Sequence, residues 1–140
     1  MKEDNLKIIL HTEFIDKIHY GLTLASASRA LDNKVTLFFA MKSIYALVEK
    51  NKKLGWTELK TENGSSAKMF NESLIGKNIP NFEELIKICI DLEINFMICE
   101  MGMKFLNLNY SQLRKDINFL DGGLVTLLEK PCDNSSLLFI

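Results

Sequence analysis

The stretch Ile94-Asn95-Phe96-Met97-Ile98-Cys99-Glu100-Met101-Gly102-Met103 decides how the chain folds. Its first half is an apolar, aromatic run typical of a buried strand, and its second half predicts a turn and the start of a helix. Cys99 stands at the junction between the two. A thiol at the exit of a core strand is held on rigid backbone at the carboxyl edge of the sheet, which is where open α/β sheets bind ligands.

The segments before this stretch continue the alternation of strands and helices. Residues 6–10 and 35–40 are short apolar runs, and the second is β-branched, aromatic and nearly continuous, as in the central strand of a parallel sheet. Between them, apolar side chains recur every three or four positions and predict a helix with Thr12 as its N-cap. Asn81 and Glu84 match a capping box and predict the helix that leads into the 94–99 strand.

The remaining segments complete the predicted order. Further helices are expected at about 43–52, 110–115 and 123–130, and strands at 116–120 and 136–140. Residues 53–80 are rich in Gly, Asn, Ser and Lys, and we interpret them as a long, partly ordered excursion. The chain, 1–140, is therefore predicted to be a single doubly wound α/β domain, with about five mostly parallel strands and helices on both faces.

Composition and charge exclude several classes of protein. The 140 residues are 47% hydrophobic and 25% charged with a net charge of −1, so the chain has a globular composition and lacks the basic patch typical of nucleic-acid binding. The first apolar run is too short for a signal peptide or a membrane span. The cysteines at 89, 99 and 132 form neither a CxxC pair nor a disulfide framework, so a reduced, cytoplasmic location is expected.

Three strand exits carry groups that could share one crevice. They are His11, the pair Met41-Lys42, and the run Cys99-Glu100-Met101-Gly102-Met103. If their strands are neighbours, all of these groups belong to the carboxyl edge of the sheet. A nucleophilic cysteine needs a depressed pKa or a nearby base, and His11 could act as that base. A helix N-terminus and Lys42 would favour the thiolate, whereas Glu100 would oppose it unless it faces the other way.

Other interpretations of these residues stay open. Cys99 could be a small buried hydrophobic residue, as free cysteines often are. The spacing of Cys99, Met101 and Met103 would suit Cu(I), but methionines so placed are more often core or pocket residues, so no metal is predicted. No cofactor is predicted either, because the nucleotide-binding motifs GxGxxG and GxxxxGK[ST] are absent; the GxSxG elbow of serine hydrolases is absent as well. Cys89 is expected in a helix core and Cys132 in a loop.

Several segments, in this order and spacing, are characteristic of one family: Ile9-Leu10-His11, His19-Tyr20-Gly21-Leu22, Ala25-Ser26-Ala27, residues 35–39, residues 96–103 and Gly122-Gly123-Leu124-Val125-Thr126. Over 8–140 the chain resembles the DsrE/DsrF-like family, in the sulfur-relay superfamily that includes TusD-like proteins. The resemblance implies a five-stranded parallel sheet between helices, and homotrimers or homohexamers with sites near subunit interfaces. In relay members a cysteine accepts sulfane sulfur as a persulfide and passes it on.

Of the three cysteines, only Cys99 matches a strand-end cysteine of such relatives. Residues 53–80, near where relay members often carry their working cysteine, contain none. The leading hypothesis is a sulfur-carrier or sulfurtransferase-like protein that works with a sulfur donor or acceptor protein. Its catalytic residue would be Cys99, and its pocket would be lined by His11, Met41, Lys42, Glu100, Met101, Gly102 and Met103. The alternatives are a non-catalytic module that binds a ligand or partner, and a redox sensor with Cys132 as the resolving thiol.

Overall fold

The sheet is built around the apolar run at 34–39, which forms its central strand. The computed structural model describes residues 5–129 and 135–140. The strands are β1 (Asn5–Leu10), β2 (Lys34–Phe39), β3 (Glu49–Lys50), β4 (Lys53–Leu54), β5 (Asn95–Ile98), β6 (Phe119–Leu120) and β7 (Ser135–Phe139). The α-helices are α1 (Ile15–Ala30), α2 (Ala67–Gly76), α3 (Phe82–Asp91), α4 (Glu100–Phe105) and α5 (Leu124–Leu128). Three 3₁₀ helices are η1 (Met41–Leu47), η2 (Gly55–Glu58) and η3 (Tyr110–Gln112).

Five strands form one parallel sheet in the order β6-β5-β2-β1-β7, and β3 and β4 form a separate antiparallel pair. The chain steps from β1 to β2, β5 and β6 in one direction, and then returns to place β7 on the other side of β1. Because parallel crossovers are right-handed, this reversal puts α1 and α3 on one face and α5 on the other. The predicted α/β fold, a parallel sheet with helices on both faces, is confirmed.

The two faces of the sheet bury different amounts of apolar surface. Val35, Leu37 and Phe39 point to the first face and join side chains of α1, α3 and η1 in the main core. The predicted capping box begins α3, which supplies Phe82, Leu85, Ile86 and Cys89 to this core. Phe38 points to the second face. The buried cluster described there has six members: Ile9, Phe38, Ala40, Met97, Cys99 and Leu127.

A buried ion-pair network fastens the segment before β6 to α3. The guanidinium of Arg114, 4% exposed, donates two hydrogen bonds to Glu83 (2.6 and 2.8 Å) and two to Asp116 (2.7 and 2.8 Å). The indole N–H of Trp56 donates another to Glu83 at 3.0 Å. Burial alone would raise the pKa of Glu83, but the hydrogen bonds and charge of Arg114 hold it below its usual value. The same arginine lowers the pKa of Asp116.

Two segments differ from the sequence predictions: in the first, local turns replace a predicted helix, and in the second, ordered elements replace a predicted excursion. Residues 43–52, predicted to be helical, form the end of η1, strand β3 and a tight turn in which Asn51 and Lys52 are left-handed. Residues 53–80, interpreted as a partly ordered excursion, contain β4, η2 and helix α2, whose first turn is capped by the Ser66 hydroxyl. Since Ala67 and Leu74 are the buried residues of α2, its apolar pattern is too sparse to predict a helix.

Smaller differences concern helix ends. Thr12 is not the N-cap of α1; its hydroxyl accepts a hydrogen bond from the Phe14 N–H at 3.1 Å, and the helix begins at Ile15. The helix expected at 123–130 extends over Leu124–Leu128. Cys132 lies outside the described residues. Within the described ranges, no helix has the length and apolar character needed to cross a membrane.

Candidate functional site

The carboxyl edge of the sheet aligns three of its strand exits on the second face. Ile9 pairs with Phe38, and Phe38 pairs with Met97. Two residues further on, the Ala40 N–H donates to Leu10 O at 2.8 Å and the Cys99 N–H donates to Phe39 O at 2.9 Å, so the ladder continues past the assigned strands.

His11, Ala40 and Cys99 therefore form the next row on this face. Neighbouring strands are about 4.8 Å apart, so the Cα atoms of His11 and Cys99 are separated by about 10 Å, with the small Ala40 between them. No hydrogen bond joins the imidazole to the thiol in the part of the chain that the structure describes. A molecule bound across the row could contact both groups.

Cys99 is a free thiol that also caps a helix. It is 7% exposed, and its Sγ accepts a hydrogen bond from the Gly102 N–H at 3.4 Å, which makes it the N-cap of α4. On its other side, the second-face cluster includes Leu127 of α5. The amide dipole directed at the sulfur favours negative charge there. The thiol thus accepts a backbone N–H at the start of a helix, but it is covered.

Gly102 brings the exits of β5 and β2 into direct contact. A Cβ built at Gly102 would lie 2.8 Å from the Met41 backbone nitrogen and 2.8 Å from Ile44 Cδ1, so α4 can pack against η1 only through a glycine. Met41 itself adopts φ 51°, a left-handed conformation that costs a non-glycine residue about 1–2 kcal/mol. This close approach fixes Met41 beside the helix that Cys99 caps.

A groove of about 420 Å³ opens at the same edge. It is lined by His11, Thr12, Glu13, Phe14, Met41, Lys42 and Phe105. Lys42 Nζ is 3.4 Å from Glu13 Oε2, and both side chains are about half exposed. The His11 ring stacks on Phe139 of β7, with ring centroids 5.5 Å apart. The structure thus brings together three of the predicted pocket residues, His11, Met41 and Lys42.

The other predicted pocket residues are distributed around α4. Glu100 is exposed and Met101 is 67% exposed, whereas Met103 points into the main core. Burial raises the pKa of Tyr110, and the charges of Glu100 and Asp121 raise it further. Glu100 therefore faces the surface near η3. The structure separates the Cys99 to Met103 run into a buried thiol, a packing glycine, a core methionine and two surface residues.

The sequence interpretation did not include Glu13, Phe14 or Phe105 in the groove. Phe14 and Phe105 could have been suspected, since one immediately precedes α1 and the other lies one turn beyond Met101 on α4. The pairing of Glu13 with Lys42 joins residues from two different strand exits, which local spacing does not reveal.

The other titratable candidates have structural roles. Cys89 is fully buried on α3, its thiol donates to Leu22 O at 3.6 Å, and burial raises its pKa to about 12. His19 is also buried, with Nε2 3.0 Å from Pro80 O. No group of three or more His, Cys, Asp or Glu side chains suited to a metal ion occurs among the described residues.

Comparison with known proteins agrees with this architecture. Residues 41–135, more than half of the chain, match the model of the DsrE/DsrF/DrsH-like family. The crystal structure of the YchN protein from E. coli superposes with a TM-score of 0.61 and 14% sequence identity, covering 99% of this chain and 100% of that one. At this identity the similarity shows the fold alone. None of the curated proteins matches the chain in sequence.

Proposed function

Because the chain belongs to the DsrE/DsrF/DrsH-like family, we propose that it is a cytoplasmic sulfur carrier in which Cys99 holds sulfane sulfur as a persulfide. The observation that carries the proposal is the position of the thiol. Cys99 stands at the carboxyl end of β5, caps α4, and accepts the Gly102 N–H on its sulfur at 3.4 Å. An amide aimed at a sulfur atom stabilises both a thiolate and a persulfide anion.

The transfer requires no external oxidant or reductant. The Cys99 thiolate attacks the outer sulfur of a donor persulfide; a new S–S bond forms, the donor S–S bond breaks, and the donor leaves as a thiolate. An acceptor thiolate then attacks the terminal sulfur on Cys99, which returns to a thiolate as that S–S bond breaks. The Gly102 N–H supports the negative charge whenever Cys99 is a thiolate, before it attacks the donor and again after the acceptor has removed the sulfur.

The neighbouring groups serve binding and orientation in this proposal. Met41 and Gly102 form the wall between the thiol and the groove, and Lys42 adds positive charge at the groove. His11, about two strands from Cys99, is an auxiliary polar group that contacts the donor or acceptor, since it is too distant to deprotonate the thiol directly. Met101 and Glu100 are exposed on α4 outside the groove, with Glu100 near η3.

We further propose that the protein works as a homotrimer or homohexamer with a separate donor or acceptor protein. Apolar side chains on β7 and α5 support this assembly. Phe139 is 69% exposed and Val125 is 78% exposed, with Leu137, Leu124 and Leu128 also exposed nearby in the sequence. Exposed apolar patches of this kind mark protein interfaces.

Intact-mass spectrometry after incubation with a sulfane-sulfur donor tests the chemistry. The wild-type chain should gain the mass of one sulfur, reversed by a thiol acceptor, and Cys99→Ser should gain none. Cys89→Ala and Cys132→Ser are matched controls that should still gain it. If Cys99→Ser is loaded as well as the wild type, or if no donor loads the wild type, the persulfide function is wrong.

A second function is favoured by one observation. Cys99 is 7% exposed, and its sulfur is already engaged as a helix cap within the cluster that contains Leu127. These features suit an inert cysteine in a non-catalytic module that binds a ligand or partner at the groove. The module is favoured if Cys99 alkylates no faster than a model thiol at pH 7 and binding persists in Cys99→Ala.

A further inference from the structure

The groove at the carboxyl edge contains polar groups that are available to a ligand. The ring nitrogens of His11 make no hydrogen bond within the described ranges, and the Thr12 hydroxyl oxygen accepts from the Phe14 N–H, which leaves its hydrogen free to donate. Lys42 pairs with Glu13 at 3.4 Å. All four residues line the same cavity. His11, Thr12 and Lys42 can each donate a hydrogen bond to a ligand there, and the Glu13 carboxylate competes with the ligand for Lys42.

The ion pair between Lys42 and Glu13 is easily exchanged. The two side chains are 53% and 48% exposed, and ion pairs of this kind contribute about 0.2–1 kcal/mol. A ligand anion that also gains apolar contact in the groove can therefore replace Glu13. In the free protein the glutamate occupies the position that the ligand charge would take.

Apolar side chains line the rest of the groove. Phe14, Met41 and Phe105 contribute to its lining, and Phe105 is 62% exposed although it is a large aromatic residue. A volume of about 420 Å³ lies within the range of small-molecule pockets and is much larger than a simple inorganic anion needs. The combination of aromatic and thioether surface with a lysine favours an organic ligand.

We propose that this groove binds a small organic anion, whose charged group replaces Glu13 on Lys42 and whose apolar body packs against Met41 and Phe105. Glu13 acts as a built-in competitor for the ligand. If the proposed function holds, this ligand is the sulfur donor or acceptor used at this edge of the sheet, an organic compound with one negative charge and an apolar group; to that extent the inference rests on the proposed function. Binding itself does not require Cys99 to react.

The test is a calorimetric or NMR titration of full-length Cys99→Ser protein, which cannot form a persulfide at this position. The probes are benzenesulfonate, its uncharged counterpart benzenesulfonamide, and inorganic sulfate. Benzenesulfonate should bind saturably and more tightly than either of the others. In the same background, Lys42→Gln should weaken its binding about tenfold, and Glu13→Gln should tighten it about two- to fivefold.

Lys53 and Glu58 provide matched control variants, because they form an exposed lysine–glutamate pair away from the groove. Lys53→Gln and Glu58→Gln change the net charge identically and should leave the affinity unchanged. The proposal is overturned if benzenesulfonate fails to saturate, if the sulfonamide binds equally well, or if Glu13→Gln weakens binding. A wild-type protein that binds benzenesulfonate but never gains sulfur would contradict the persulfide function and leave this inference standing.

Discussion

Replacing Gly102 by alanine should separate two strand exits that meet at the candidate site. The added Cβ would lie 2.8 Å from Met41 N and 2.8 Å from Ile44 Cδ1, and the first of these neighbours is backbone that cannot rotate away. Overpacking of this kind costs about 1–3 kcal/mol. Alanine is the better helix former by about 1 kcal/mol in a helix interior, but Gly102 lies in the first turn of α4, where the gain is smaller, so a net loss of about 1–2 kcal/mol of unfolding free energy is expected.

Gly76→Ala is the matched control, since Gly76 is also helical but nothing lies within 4 Å of its added Cβ. Denaturant unfolding should show a lower midpoint for Gly102→Ala, with an unchanged slope, and an equal or higher midpoint for Gly76→Ala. In thermal unfolding, a loss of 1 kcal/mol corresponds to a Tm decrease of about 3–4 °C for a chain of this length. If Gly102→Ala is as stable as the wild type, α4 and η1 are not held together through this glycine.

Three further predictions concern groups that differ in burial or pairing. In the native protein at pH 8, iodoacetamide should modify Cys99 while Cys89, with a pKa of about 12, is labelled only after unfolding; peptide mass mapping distinguishes the two. Lys7 donates hydrogen bonds to two backbone carbonyls at the end of α5. Lys7→Met should loosen this helix and raise the labelling rate of Cys99 about tenfold. An unchanged labelling rate would exclude α5 as the cover of Cys99. Arg114→Met should lower the unfolding free energy at pH 7 by about 1–3 kcal/mol, because the two carboxylates it leaves unpaired are partly exposed. Arg114 lowers the pKa of Glu83, so the stability that this pair contributes is complete above the unfolded-state pKa of the glutamate and declines as the pH falls through its folded-state pKa. Chemical denaturation should therefore show the difference in unfolding free energy between the variant and the wild type shrinking below about pH 4.

Strands and capped helices were predictable because their signals are local. The continuous apolar run of β2, the aromatic run of β5 and the capping box at Asn81 each specify one element within ten residues. Their order then requires a parallel sheet with a reversal, which places His11, Met41 and Lys42 at one edge. The sequence singled out Cys99 by its place at a strand exit and named three exits that could share a crevice, of which the groove unites the two that carry His11 and Met41-Lys42.

The features that decide access to the site are long-range. Leu127 joins the cluster around Cys99 because the last crossover reverses direction, and the stacking of His11 on Phe139 follows from the pairing of β1 with β7. The Glu13–Lys42 pair joins two crossovers in the same way. None of these contacts produces a periodic pattern or a spacing motif, so only the folded chain reveals them.

At the carboxyl edge of the sheet, ligand binding and the reactivity of Cys99 depend on different features. The groove is open and its ion pair is exposed, so an anion can reach Lys42 once the Glu13 side chain moves aside. Cys99 lies two strands from His11, is 7% exposed and belongs to the cluster that contains Leu127 of α5, so we expect a reagent to reach its sulfur faster when α5 is loosened. Ligand affinity should therefore respond to Glu13 and Lys42, whereas the rate of Cys99 modification should respond to the anchoring of α5. Measured on the same variants, the two quantities should change independently.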